Sequence, residues 1–237
     1  MSRIQHTIAG TVLTMPIRIR TAALHSATFS VPATAAQQLI NYSGLQVFQY
    51  LPGRALLVTM LVHYLDGDLG RYHEYGTAIM VKPPGQVRSS RSGRGRPAAF
   101  IHHLPVDQEF TLEAGRTIWG FPKIMANFII RERRNGIGVA VSADGQLIAN
   151  IEFSSGLRVP SPGPQVLKTY CHRDATTREI PWELTVSGLR MRPGGTRIHL
   201  GTHPYAKELA ALGLPKQALM SQSAANVAMT FGDAHPV

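Results

Sequence analysis

Cysteine is almost missing from this chain. Cys171 is the only one in 237 residues, so no internal disulfide can form and a reducing compartment is the simpler expectation. Long apolar runs are missing too, and none approaches the ~20 residues that a membrane-spanning helix needs. The stretch "IAGTVLTM" between His6 and Pro16 is short, has no small-residue cleavage site and runs into Arg18 and Arg20. It reads as mature protein, not as a signal peptide. These absences together predict a cytoplasmic protein with no membrane partner.

Acidic residues are scarce. There are 14 Asp and Glu against 24 Lys and Arg, giving a net charge of +10 and a pI near 10.3. Such a surplus suits nucleic acid, an anionic surface or an acidic small substrate, and does not choose among them. Several motifs are absent as well. Without GxSxG there is no nucleophile elbow, and without GxGxxG or GxxxxGK[ST] there is no phosphate-cradling loop. No HExxH, CxxC or carboxylate-rich calcium pattern occurs. Among the ten histidines, His199 and His203 stand four apart, but Gly201 and Pro204 break any helix that would align them. His102 and His103 are adjacent and, on a regular strand, point to opposite faces. The sequence therefore predicts no metal site and no cofactor. The segment "GQVRSSRSGRGRP" over 85–97 carries Arg88, Arg91, Arg94 and Arg96 but no aromatic residue to stack on bases. It is expected to be an exposed, flexible basic loop and not a nucleic-acid site.

What the chain does have is strand and turn chemistry. An apolar fraction of 44% with 16% charged residues can bury a sizeable core, and 22 glycines and 16 prolines are spread along it. Strands are expected at 54–65, 71–82 and 98–106, and then a meander over 126–154. Asn135-Gly136 and Asp144-Gly145 mark its turns. More strands follow at 166–173, 180–191, 196–201 and 223–232. Short helices are expected at 34–40, with Thr34 as cap, around 107–113 and at 203–213. No repeat or linker divides the chain, so one mainly β domain with a few helices is expected over residues 1–237.

Within this frame "EAGRTIWGFPKIMANF" (113–128) stands out. Lys123 follows Pro122 and is flanked by Ile118, Trp119, Phe121, Ile124 and Met125. One reading is a lysine whose stem lies on Trp119 or Phe121 while its amine reaches water. The other is an amine kept neutral by apolar surroundings so that it can attack a carbonyl. At an ordinary pKa only about one lysine in ~2,500 is neutral at pH 7, and apolar burial can lower that pKa by as much as ~3–5.

"GRTIWGFPK" resembles the lysine motif of the acetoacetate decarboxylase family, roughly G-R-E-hydrophobic-x-small-aromatic-P-K. Gly115, Arg116, Ile118, Gly120, Phe121, Pro122 and Lys123 fit it. The family's upstream Tyr-x-Glu-x-Gly is matched by Tyr72, Glu74 and Gly76, and the resemblance continues through "GTHPYAKELAALGLPKQALMSQ" toward the C-terminus. It implies a cone-like antiparallel β-barrel, a homo-oligomer, and a Lys123 iminium formed with a small keto-acid substrate. In its simplest form this is the decarboxylation of a β-keto acid by a carbon–carbon lyase. The alternatives are aldol or dehydration chemistry on a pyruvate-like acid, or a non-catalytic binding protein. By the same resemblance Glu74 moves protons or orients the substrate. Arg20 or Arg116 holds the substrate carboxylate, although for Arg116 a role in holding the motif loop is the stronger expectation. Trp119 and Phe121 contact the substrate. The chain departs from the family pattern at three places. Ile124 stands where a second lysine follows the nucleophile, an acidic residue expected near Thr59 is absent, and the arginine segment is an insertion.

Overall fold

The computed structural model describes residues 4–85 and 97–237. Apart from Gly85 and Pro97 at its ends, the expected arginine loop lies outside the described residues. The main strands are β1 (Ile17–Pro32), β2 (Arg54–Gly67), β3 (Tyr72–Lys82), β4 (Ala98–Val106), β5 (Lys123–Met125), β6 (Asn127–Arg133), β7 (Gly136–Ala143), β8 (Gln146–Ser154), β9 (Gln165–Arg173), β10 (Thr176–Pro193), β11 (Thr196–Leu200) and β12 (Met220–Phe231). Hydrogen bonding runs in the order β3–β2–β1–β12–β10–β9–β4, and β4 pairs back onto β3. Among the described residues the sheet thus closes into a ring. Neighbours in the ring are antiparallel except β9 and β4, which share a short parallel register. Strand β5 adds to β4 in parallel, with Lys123 opposite Leu104.

The period of two along each strand sorts its side chains into two cores. In β2, Leu57 and Leu61 enter an outer core, while Met60, Val62 and Tyr64 turn into the lumen of the ring. The outer core lies between the ring and a small sheet ordered β6–β7–β8–β11. Helices α1 (Ala33–Ile40) and α3 (Pro204–Ala211) also contribute to it through Ala36, Ile40 and Leu209. Ala33, Ala36 and Ile40 are the buried residues of α1, a spacing that puts them along one side of the helix. Fully buried Phe29, Tyr75, Phe100 and Tyr170 anchor the outer core. Each such side chain contributes about 1.5–3 kcal/mol in transfer terms. Among the described residues no helix is long and apolar enough to cross a membrane.

Several expectations shift. Strand β1, among the longest, is not singled out by the sequence. Its run "IRIRTAALHSATFSVP" alternates only in part, and its pairing with β12 contains register shifts. The cap of α1 is Pro32 without a side-chain bond, not Thr34. The first meander turn is Arg134-Asn135, one residue earlier than the Asn-Gly pair suggests, because Arg133 pairs with Gly136. The Asp144-Gly145 turn is as expected, with both residues at positive φ.

Candidate active site

Lys123 reaches the lumen through an unusual local path. Helix α2 (Glu109–Ala114) runs straight into a π-helical turn over Gly115–Trp119, a rare form frequent at functional sites. Gly120 then takes a left-handed φ of 72°, which glycine adopts at no steric cost. That residue turns the chain so that Phe121, Pro122 and Lys123 run back along the wall. Gly115 serves the lysine directly, since a Cβ there would lie 2.6 Å from Lys123 Cδ and Cε. Arg116 fastens the loop, its Nε and Nη2 donating to the Lys123 carbonyl oxygen at 2.9 and 2.6 Å. Trp119 Nε1 donates to the Gly232 carbonyl at 2.8 Å, which ties the turn to the end of β12.

The ammonium end of Lys123 is buried, with only 3% of the side chain exposed, and lies 2.8 Å from Glu74 Oε2. Nζ also donates to Thr111 Oγ1 at 3.0 Å and sits 5.2 Å from the centre of the Tyr72 ring. The other oxygen of Glu74 accepts from the Tyr64 hydroxyl at 2.8 Å, and Tyr64 stacks on Tyr72 with centroids 4.1 Å apart. Burial, and then the Glu74 charge, push both phenols well above their ordinary range. Tyr64 therefore stays a donor, which leaves Glu74 Oε2 to the lysine.

Around this pair is a cavity of about 130 Å³, far below the ~300–1,000 Å³ of drug-sized sites. Every strand of the ring lines it, mostly with apolar side chains such as Ile19, Met60, Val62, Leu104 and Met229. Half-buried Trp182 and Phe231, stacked 5.4 Å apart, form part of the same wall. Lys123 is the one cation among the described lining residues.

The structure brings together four of the six candidate site residues, namely Lys123, Glu74, Trp119 and Phe121, with Tyr72 of the upstream motif beside them. It separates the others. Arg20 does not line the cavity; it is half exposed and its guanidinium is held at 2.7 and 2.8 Å by Asp66 and Asp68. Arg116 is spent on the Lys123 carbonyl, as expected for a loop anchor. Ile124 and Met125 do not wall in the amine. Ile124 packs on the outer core, as alternation from Lys123 requires, and Met125 is 40% exposed. Thr59 shares the phase of Leu57 and Leu61 and so faces away from the lumen, where Met60 is the lining residue. Tyr64 and Thr111 are new. Tyr64 lies cross-strand from Tyr72, and its even spacing from Met60 and Val62 was the available signal. Nothing in the sequence pointed to Thr111.

The chain is thus a closed, mostly antiparallel ring of strands with a buried lysine–carboxylate pair in its apolar lumen. The family model "Acetoacetate decarboxylase (ADC)" matches residues 7–235, and the chain belongs to that family. Among solved structures it resembles the acetoacetate decarboxylase of Legionella pneumophila subsp. pneumophila str. Philadelphia 1. The TM-score there is 0.71 at 15% identity, covering all of this chain and 91% of the other. It also resembles the enduracididine biosynthesis enzyme MppR complexed with pyruvate, with TM-score 0.68, 14% identity, and 100% and 98% coverage. A third is an acetoacetate decarboxylase-like enzyme from Sphingomonas wittichii RW1, with TM-score 0.62, 16% identity and full coverage of both chains. At these identities the likeness shows the fold alone. No curated protein matches at the sequence level.

Proposed function

We propose that the chain is a Schiff-base lyase that decarboxylates a small β-keto acid, with Lys123 as nucleophile and Glu74 as proton carrier. The observation that carries this reading is the 2.8 Å contact between Lys123 Nζ and Glu74 Oε2 inside an apolar cavity. Glu74 takes a proton from the ammonium, and the neutral amine adds to the ketone carbon, one of its N–H protons passing to the carbonyl oxygen to give a carbinolamine hydroxyl. The same carboxyl group returns that proton to the departing hydroxyl, so water leaves and an iminium forms. The bond between the α-carbon and the carboxylate then breaks and CO2 departs. Its electron pair moves through the α-carbon onto the iminium nitrogen to give an enamine. Protonation at that carbon and hydrolysis release the ketone and restore the lysine.

The lining favours decarboxylation over aldol or dehydration chemistry on a pyruvate-like acid. A carboxylate in an apolar site is costly unless paired, and the one cation on the described wall, Lys123 or the iminium made from it, already faces Glu74. Loss of CO2 removes the carboxylate charge as the carbon–carbon bond breaks, whereas aldol chemistry keeps it throughout. The test is incubation with acetoacetate, then borohydride, with CO2 measured in parallel. One trapped adduct per chain on the Lys123 peptide together with CO2 release supports the reading. An adduct without CO2 points to aldol-type chemistry or to binding alone. Labelling spread over exposed lysines with Lys123 unmodified sinks it.

A further inference from the structure

On the far side of β4 from the cavity, the expectation that His102 and His103 face opposite ways fails. The register between β3 and β4 shifts between Thr77 and Ala78, which face His103 and Ile101 respectively. His102 is therefore the extra residue of a β-bulge, and such a bulge places two successive side chains on one face. Both imidazoles consequently reach Glu208 on α3, His102 Nε2 and His103 Nε2 each 2.7 Å from the same carboxylate oxygen.

We propose that His102, His103 and Glu208 form a site for one divalent transition-metal ion, with zinc as the reference ion, that clips α3 to the ring wall. Their ligating atoms all lie within 4.8 Å of one another. Two ligands on a tetrahedral zinc, at bond lengths of ~2.0–2.2 Å, stand about 3.3 Å apart. Small side-chain rotations thus open the cluster around an ion. The outer shell is also in place. His102 Nδ1 lies 2.8 Å from the Tyr42 hydroxyl, and His103 Nδ1 lies 2.9 Å from Thr77 Oγ1. Tyr205 stacks on the His103 ring at 3.6 Å. Groups of this kind fix the orientation and tautomer of ligating imidazoles.

The protons balance without loss. In the metal-free cluster each Nε2–H donates to Glu208, and each Nδ1 accepts from its hydroxyl. When an ion binds, each imidazole carries its proton on Nδ1 and donates to the same hydroxyl oxygen, while both Nε2 lone pairs and the carboxylate turn to the metal. Two imidazoles with a single carboxylate suit zinc, iron(II) or nickel, and not calcium or magnesium, which need oxygen-rich shells. The Glu208 side chain is 38% exposed, which leaves an entry route and an open position for water.

The test uses the full chain without an affinity tag, stripped with a chelator and titrated with zinc alone in a calorimeter, with thermal melting alongside. The expected result is one zinc per chain and a melting temperature that rises with zinc concentration. Glu208→Gln, on a partly exposed helix, keeps the size and hydrogen-bonding capacity but removes the anionic ligand, and should weaken binding at least tenfold. Thr77→Val removes one outer-shell hydroxyl and should weaken it about 10–100-fold. A cobalt(II) spectrum in the visible should change in both variants. No zinc uptake by the parent chain, or equal affinity in the parent and Glu208→Gln, overturns the site. Equal affinity would place the ion elsewhere, for instance at His73 and Asp107, which pair at 2.7 Å.

Discussion

Strand β4 separates two polar clusters that differ in what lies beside them. On its lumen side, beyond Ile101 and Leu104, Lys123 and Glu74 face a cavity. On its outer side both nitrogens of His102 and both of His103 are already hydrogen-bonded, to Tyr42, Thr77 and Glu208. There burial pushes the His103 imidazole down to about 4, so it rests neutral. The lumen pair has polar partners too, but it borders an enclosed cavity. The outer cluster, by contrast, opens only toward solvent, through the Glu208 side chain, 38% exposed.

The comparison breaks most visibly at Lys123. Lys123→Arg keeps a positive charge for Glu74, yet a guanidinium cannot form an imine. Turnover and the borohydride adduct should both vanish while the fold persists, as judged by circular dichroism. Residual turnover with no adduct would detach the activity from the lysine. Next in size is Glu74→Gln, which keeps shape and loses the titratable proton. A fall in kcat of ~10²–10⁴-fold is expected for a lost general acid–base. Unchanged rates across the pH range would reduce Glu74 to a structural partner.

Gly115→Ala tests position without touching either charged group. The added Cβ would lie 2.6 Å from two carbons of the lysine stem, so the stem has to move within a packed wall. A displacement of about 1 Å can cost ~10²-fold in rate, and overpacking costs about 1–3 kcal/mol of stability. Slower adduct formation should therefore accompany a lowered melting temperature. Full-rate trapping would show that the stem relaxes at no cost. Tyr64→Phe should be milder. It removes the 2.8 Å bond to Glu74, and hydrogen bonds to charged groups contribute about 1.5–3 kcal/mol. A rate loss of roughly tenfold or somewhat more is expected, and no loss would mean that Glu74 is held by the lysine alone.

Local spacing explains what the sequence discloses. The run around Lys123 is readable because a lysine among aromatic and aliphatic residues is chemically odd, and the strand with Glu74 because turn residues 66–70 precede it and Pro83-Pro84 follow it. The cavity as such is not readable. It needs every strand of the ring, including β1, whose partial alternation hides it, and the closure of β4 onto β3. Neighbours in sequence also mislead. Ile124 adjoins Lys123 yet faces the other core, and Arg20 has the right chemistry but is held by Asp66 and Asp68. His102 and His103 share a face only because of a bulge, which no short-range pattern announces. Alternation is a sound guide on regular strand, and it fails at the irregular positions where these clusters are built.

The smallest expected effect concerns Cys171, which lies on the lumen side of β9 among apolar neighbours. It is fully buried, and its thiol donates to the Trp119 carbonyl at 3.2 Å. Burial pushes this thiol up to about 12. At pH 8 that leaves about one thiolate in ~10⁴, against a substantial fraction for a free cysteine of pKa ~8.5. The native chain should therefore resist a thiol reagent at pH 8 for as long as it remains folded. In denaturant a single equivalent should react promptly, because the chain holds one cysteine. A substrate analogue bound in the lumen should slow any residual labelling further, since a ligand that binds only the folded state suppresses opening. Prompt native labelling would mean that the wall carrying Trp119 opens readily, and the lumen would then be a less closed site than the lysine pair suggests.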